Sequence, residues 1–162
     1  MRKNMFLYLI IAVIGCGEAS ERKTETDAHQ ASALTYVKGD LKKIKWIEGK
    51  WKGLYNGEPF YEFYRFSNDS TLEITSFDWD GKDSSKTSIS YVHYKDGVYY
   101  LGDKQNYKVS SITDTEITML RNVEANNDIL WKYRDSTGWD AILTSPNKKV
   151  VYNMEYYDPF KR

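Results

Sequence analysis

The sequence predicts an all-β domain, an up-and-down antiparallel β-barrel of about ten strands with one short N-terminal helix in front. Three observations predict it. From about Leu34 onward the chain is a succession of short runs rich in Tyr, Phe, Val, Ile, Thr and Trp, residues that suit a pleated, half-buried surface. The runs are split by explicit turn sequences, among them "SNDS" at 67–70, "KDG" at 95–97, "EANND" at 124–128, "DSTG" at 135–138 and "SPNK" at 145–148. The interval between turns is roughly 8–12 residues, which leaves no room for crossover helices, so neighbouring strands must run antiparallel. A meander this long has two exposed edges, and closing on itself removes both.

The elements follow in order. Asp40 is expected to cap a helix of a turn or two running from Leu41 to Glu48, and Leu41, Ile44 and Ile47 or Glu48 are spaced to share one face. Gly49 then falls where helices end in left-handed geometry. Strands are expected at 50–56, 59–67, 70–78, 86–94, 97–102, 105–111, 115–122, 128–135, 138–144 and 149–157, with Pro159 as the stop.

The first residues speak to compartment. Arg2 and Lys3 precede an uncharged apolar run, Met5 to Ile14, which is shorter than the ~20 residues a spanning helix needs but suits the core of a signal peptide. Val13-Ile14-Gly15-Cys16 follows, and it resembles the lipobox of bacterial lipoproteins. That resemblance implies cleavage after Gly15, diacylation of the Cys16 thiol and acylation of the new amino terminus, several chains being needed for firm anchoring. Residues 1–15 are thus expected to be a signal peptide, 16–38 a lipidated cysteine and polar tether, and 39–162 the barrel. The expected location is the bacterial cell envelope, with the outer membrane favoured and the domain in the periplasm or at the cell surface. Cys16 is the one cysteine, so the domain can hold no disulfide, no thiolate metal site and no thiol nucleophile.

Charge excludes one class of partner. The chain has 23 basic and 23 acidic residues, and loss of Arg2 and Lys3 leaves 21 against 23, a net of −2 from side chains. Such a near-neutral domain lacks the basic excess that nucleic-acid phosphates demand.

Trp46-Ile47-Glu48-Gly49-Lys50-Trp51-Lys52-Gly53 opens the folded region. It resembles the entry signature of lipocalin-like barrels, where Gly-x-Trp begins the first strand after a short helical turn, and is closer still to nitrobindin-like domains. The resemblance implies that the tryptophan closes one end of the barrel, often under an arginine from a later strand. Trp46, Gly49 and Trp51 would then be closure residues, and Arg121 and Arg134 the candidates to cover Trp51 by cation–π stacking. Lipocalins end in a helix packed on the barrel, whereas this chain ends in a strand, which favours the ten-stranded type. Nitrobindin-like proteins bind haem through a histidine near the C-terminal end. No histidine follows His93, so haem is not carried over and no cofactor is expected.

The search for chemistry returns few candidates. The chain has no nucleophile elbow, zinc-protease helix, phosphate loop or dinucleotide fingerprint, and no enzymatic activity is expected. "DWDGKD" at 78–83 looks superficially like a calcium loop, but its glycine falls at the fourth position and the twelfth is Ile89, so a hairpin turn explains it better. The surplus lies in aromatics. Phe60, Glu62, Tyr64 and Phe66 share one face of their strand, as do Ile129, Trp131 and Tyr133, and Val150, Tyr152, Met154 and Tyr156. An aromatic interior with few charges suits a small hydrophobic or amphipathic ligand, and equally a filled core whose outer wall or loops bind a protein or polysaccharide. By strand phase Tyr64, Tyr91, His93, Trp131 and Tyr152 are the residues expected to face a ligand.

Overall fold

A computed structural model describes residues 35–79 and 84–158. The expected signal peptide, Cys16, residues 17–34 of the expected tether, residues 80–83 and Pro159 lie outside the described residues, whereas 35–38, the end of that tether, are described.

Ten antiparallel strands close into a barrel. They are β1 (Gly49–Tyr55), β2 (Glu58–Asn68), β3 (Thr71–Trp79), β4 (Ser84–Lys95), β5 (Val98–Leu101), β6 (Tyr107–Ile112), β7 (Glu116–Arg121), β8 (Asp128–Asp135), β9 (Gly138–Ser145) and β10 (Lys148–Tyr156). Each pairs with its sequence neighbours, and β1 meets β10 through Trp51 opposite Tyr156 and Lys52 opposite Glu155. The predicted strands all form, with every boundary within two residues of the expected one. Local chemistry explains why. Asn56-Gly57 and Asp96-Gly97 both take positive φ at both positions (51° and 84°, 50° and 83°), the conformation of two-residue hairpin turns whose twist matches the strands they join.

The helix differs in kind from the expectation. Asp40–Ile47 is a 3₁₀ helix, broken by a non-helical Ile44. With three residues per turn, Leu41, Ile44 and Ile47 fall on one edge, and all three are completely buried. The hydrophobic spacing of three thus selects the tighter helix. Asp40 does not cap it; its Oδ2 accepts the Val37 N–H at 2.9 Å. Gly49 is not the left-handed helix terminator either. The chain turns out at Glu48, which is extended, and Gly49 begins β1 with φ +144°, a value L-residues rarely adopt.

This helix plugs one end of the barrel, the end at which β1 begins. The segment before it is fastened there: Tyr36 N–H donates to Gly97 O at 2.8 Å, Tyr94 Oη to Tyr36 O at 3.1 Å and Tyr99 Oη to Val37 O at 3.2 Å. Inward side chains alternate with outward Lys52, Arg65, Glu73, Lys132 and Asp140. An apolar inside and a charged outside are the reverse of a membrane-spanning barrel, which keeps its apolar band on the outer wall.

Candidate ligand recess at the open end

The barrel interior divides into two halves of different character. Near the plugged end Trp139, 1% exposed, is the hub of an aromatic cluster. Its ring meets Tyr64 at 5.5 Å, Trp131 at 5.7 Å, and Trp46 and Trp51 each at 6.2 Å, mostly edge-on. Trp51 Nε1–H donates to Ile47 O at 2.7 Å, which ties the first strand to the end of the helix. Leu72, Val92 and Ile117 complete this half with no exposed surface.

Toward the other end Leu101 and Ile129 retain 8%, and Phe60, Tyr107, Leu143 and Tyr152 are partly buried although they pack on the core, while Val109 and Met119 keep almost no surface. Trp46, Phe66, Tyr94 and Ile112 at the plugged end are partly buried as well. Among the described residues no helix covers this end. The wall is shaped by Gly53 of β1. A Cβ there would lie 2.6 Å from Phe60 Cε1 and 2.9 Å from Met154 Sδ, so only glycine lets the Phe60 ring lie across β1. Phe60 then meets Tyr152 edge-on at 5.6 Å, and Tyr55 adds a second ring 6.4 Å from Tyr152.

Among the described side chains one carboxylate, Glu62, stands on the inner wall. Glu62 lies two residues from Phe60 and from Tyr64 on the same face of β2. Tyr64 Oη–H donates to its Oε2 at 2.6 Å, a short bond of the kind formed to charged oxygen. Ser76 of β3 approaches Oε1 at 3.5 Å, at the limit of a hydrogen bond. Burial raises the Glu62 pKa, and the two hydrogen bonds only partly oppose it. Desolvation, followed by the neighbouring Glu62 charge, raises the Tyr64 phenol well above its ordinary value. Glu62 is half-buried and stands level with Trp51, its partner on β1.

The residues expected from the sequence fall into three groups. Tyr64, Trp131 and Tyr152 do face inward, Tyr64 and Trp131 in the closed cluster and Tyr152 in the open half. Trp46, Gly49 and Trp51 gather at the plugged end, with Trp46 against Tyr133 at 5.6 Å and Trp51 edge-on to Tyr156 at 5.7 Å. Tyr91 and His93 do not join them. Val92, which alternates with them along β4, is fully buried inside, so both point to the outer wall, where His93 lies 6.3 Å from Tyr100. The arginines do not cover Trp51. Arg134 pairs with Asp140 on the outer wall at 3.0 Å, and Arg121 lies beside Asp128 at the opposite end of the barrel from Trp51. Trp51 is enclosed by aromatic rings instead. Glu62, Phe60 and Trp139 are the residues that the choice of site missed. The signal for Glu62 was a single carboxylate on an otherwise aromatic strand face.

A scan against protein-family models, a search of curated proteins and a search of solved structures each find no match to this chain.

Proposed function

We propose that this chain is a lipid-anchored cell-envelope protein whose barrel binds a small hydrophobic or amphipathic ligand through its open end, without catalysing a reaction on it. The lipobox at 13–16 supports the anchor, and the resemblance of the Trp46–Gly53 segment to lipocalin-like barrels supports the binding role. The observation that carries the reading is the aromatic inner face at the end away from the helix, where Phe60, Tyr107, Leu143 and Tyr152 pack on the core yet stay partly accessible and no described element covers them. Aromatic walls with a single polar group are the usual composition of small-molecule sites.

Native mass spectrometry of the full chain, extracted from membranes in a non-ionic detergent, tests it. The expected spectrum shows acylated protein carrying an additional small molecule released on heating. A bare acylated mass across independent preparations would move the balance to the second reading, an envelope interaction module with a filled barrel. That reading has its own support in Leu54 and Val151, 56% and 46% exposed, which together line a shallow groove on the outer wall where β1 meets β10.

A further inference from the structure

We infer that the outer wall of β2, β3 and β4 rests on the head-group region of the bilayer that carries the lipid anchor, so that the barrel lies on its side with neither end against the membrane. This rests on the anchored reading above and adds the face that meets the lipid.

The outer wall is not charged all the way round. Pairing registers set Phe63, Thr75 and Ile89 side by side across β2, β3 and β4, with Tyr61 and Phe77 paired in the next row and Tyr91 opposite Glu73. All face outward, since Tyr64, Ile74 and Val92, which alternate with them, are buried inside. Thr75 is nevertheless only 5% exposed, as closed off as the core, while Phe63, Phe77, Ile89 and Tyr91 keep surface. These are the centre and margin of one apolar patch. Tyr157 extends it, its ring 4.8 Å from that of Tyr61. On the opposite wall the outward Leu130 and Ile142 stand among the ion pairs Lys132–Glu116 and Arg134–Asp140. Charge and attachment name what the patch meets. Lys50 and Lys52 of β1 lie opposite Phe63 and Tyr61, and Lys95 ends β4. Of the described acidic groups of β2 to β4 and their turns, Glu73 pairs with Arg65 at 3.3 Å and Asp69 with Lys42 at 3.6 Å. Glu62 points inward, and Glu58 and Asp96 stand at the two ends of the wall. Aromatic side chains with polar tips and basic neighbours suit the boundary between lipid head groups and tails. The attachment point is on the same side: Tyr36 N–H donates to Gly97 O in the turn that follows β4. Residues 17–34 separate this point from Cys16, and a coil of that length spans on the order of 20–25 Å. The anchor therefore keeps the face at high local concentration near lipid, where a weak affinity is enough.

The test uses acylated protein extracted from membranes and reconstituted in nanodiscs of phosphatidylethanolamine and phosphatidylglycerol, with and without a lipid spin-labelled near its head group. Methyl NMR then reads proximity to the label. The Ile89 signal is expected to be lost in the labelled discs, while Ile142 on the opposite wall keeps its intensity. Equal loss at both, or loss at Ile142 alone, would overturn the inference and leave the anchor in place. Full retention of both would overturn it too, and would leave the patch to a protein partner. Phe63→Ser combined with Tyr91→Ser should restore the Ile89 signal without changing acylation, and a loss that persists in the folded double variant would also contradict the inference. Protein isolated with no acyl chain would overturn the anchored reading and this inference together. Should the double variant not fold, the two isoleucines of the unaltered protein decide the matter alone.

Discussion

The two ends of this barrel are built from the same kinds of residue and do opposite things with them. At the plugged end Trp46, Trp51, Trp131 and Trp139 interlock with Tyr64 beneath a 3₁₀ helix whose three apolar side chains are fully buried. At the open end Phe60, Tyr107 and Tyr152 line a wall that nothing described covers. Aromatic content therefore does not mark a binding site in this fold. What separates the two halves is whether another element supplies the opposing surface. The helix does so at one end, and Gly53 clears room for Phe60 on the wall of the other.

The comparison can be broken by mutation. Trp139→Ala removes the hub of the closed cluster and is expected to cost about 3–5 kcal/mol of unfolding free energy, measured by urea denaturation. Tyr152→Ala, partly exposed at the open end, should cost only about 1–2 kcal/mol. Equal losses would mean that the two halves are packed alike. Gly53→Ala comes next. Its methyl group would collide with Phe60 and Met154, at an expected cost of about 1–3 kcal/mol, and a second change, Phe60→Ala, should recover part of it. If the double variant shows no recovery, Phe60 does not lie across β1.

Glu62→Gln acts in the opposite direction. Burial raises the folded-state pKa of Glu62 above that of an unfolded carboxylate, so the folded protein holds the proton more tightly than the unfolded chain. The resulting stability is present at pH below the ordinary carboxylate range and is lost as pH rises through the raised value. Glu62→Gln should therefore be more stable than the parent at neutral pH and flatten the decline between those two values, as thermal midpoints recorded across pH will show. The smallest effect is expected at Arg134. Its pair with Asp140 lies on the outer wall, so Arg134→Ala should cost less than about 1 kcal/mol and leave the near-ultraviolet signal of Trp51 unchanged. A large loss with an altered tryptophan signal would restore the arginine-over-tryptophan closure that the lipocalin-like resemblance implied.

Much of this architecture is legible in the sequence, because barrel strands are delimited locally. Asp96-Gly97 and its like fix where each strand turns, and short loops leave a meander no option but sequential pairing. The site is harder to read. On β4 both faces carry large side chains, Tyr91 and His93 on one and Val92 and Tyr94 on the other, so phase cannot be assigned without the neighbours that bury Val92. On β2, β8 and β10 the phase is clear, and Tyr64, Trp131 and Tyr152 face inward as expected. Depth along the strand is the missing quantity. Periodicity places Tyr64 and Phe60 on one face but does not say that the first lies under the plug and the second at the open end. The helix shows the same limit: three apolar residues at a spacing of three fit one edge of a 3₁₀ turn, and burial of all three settles that form.

The most direct test of the claim that one half is filled and the other receives a ligand is methyl NMR of the full chain in detergent during titration with hexanol. The account predicts shifts at Leu101, Ile129, Leu143 and Val150, with Leu41, Ile44, Ile47, Leu72 and Ile117 unmoved. Shifts spread evenly over both sets, or confined to the second, would contradict it.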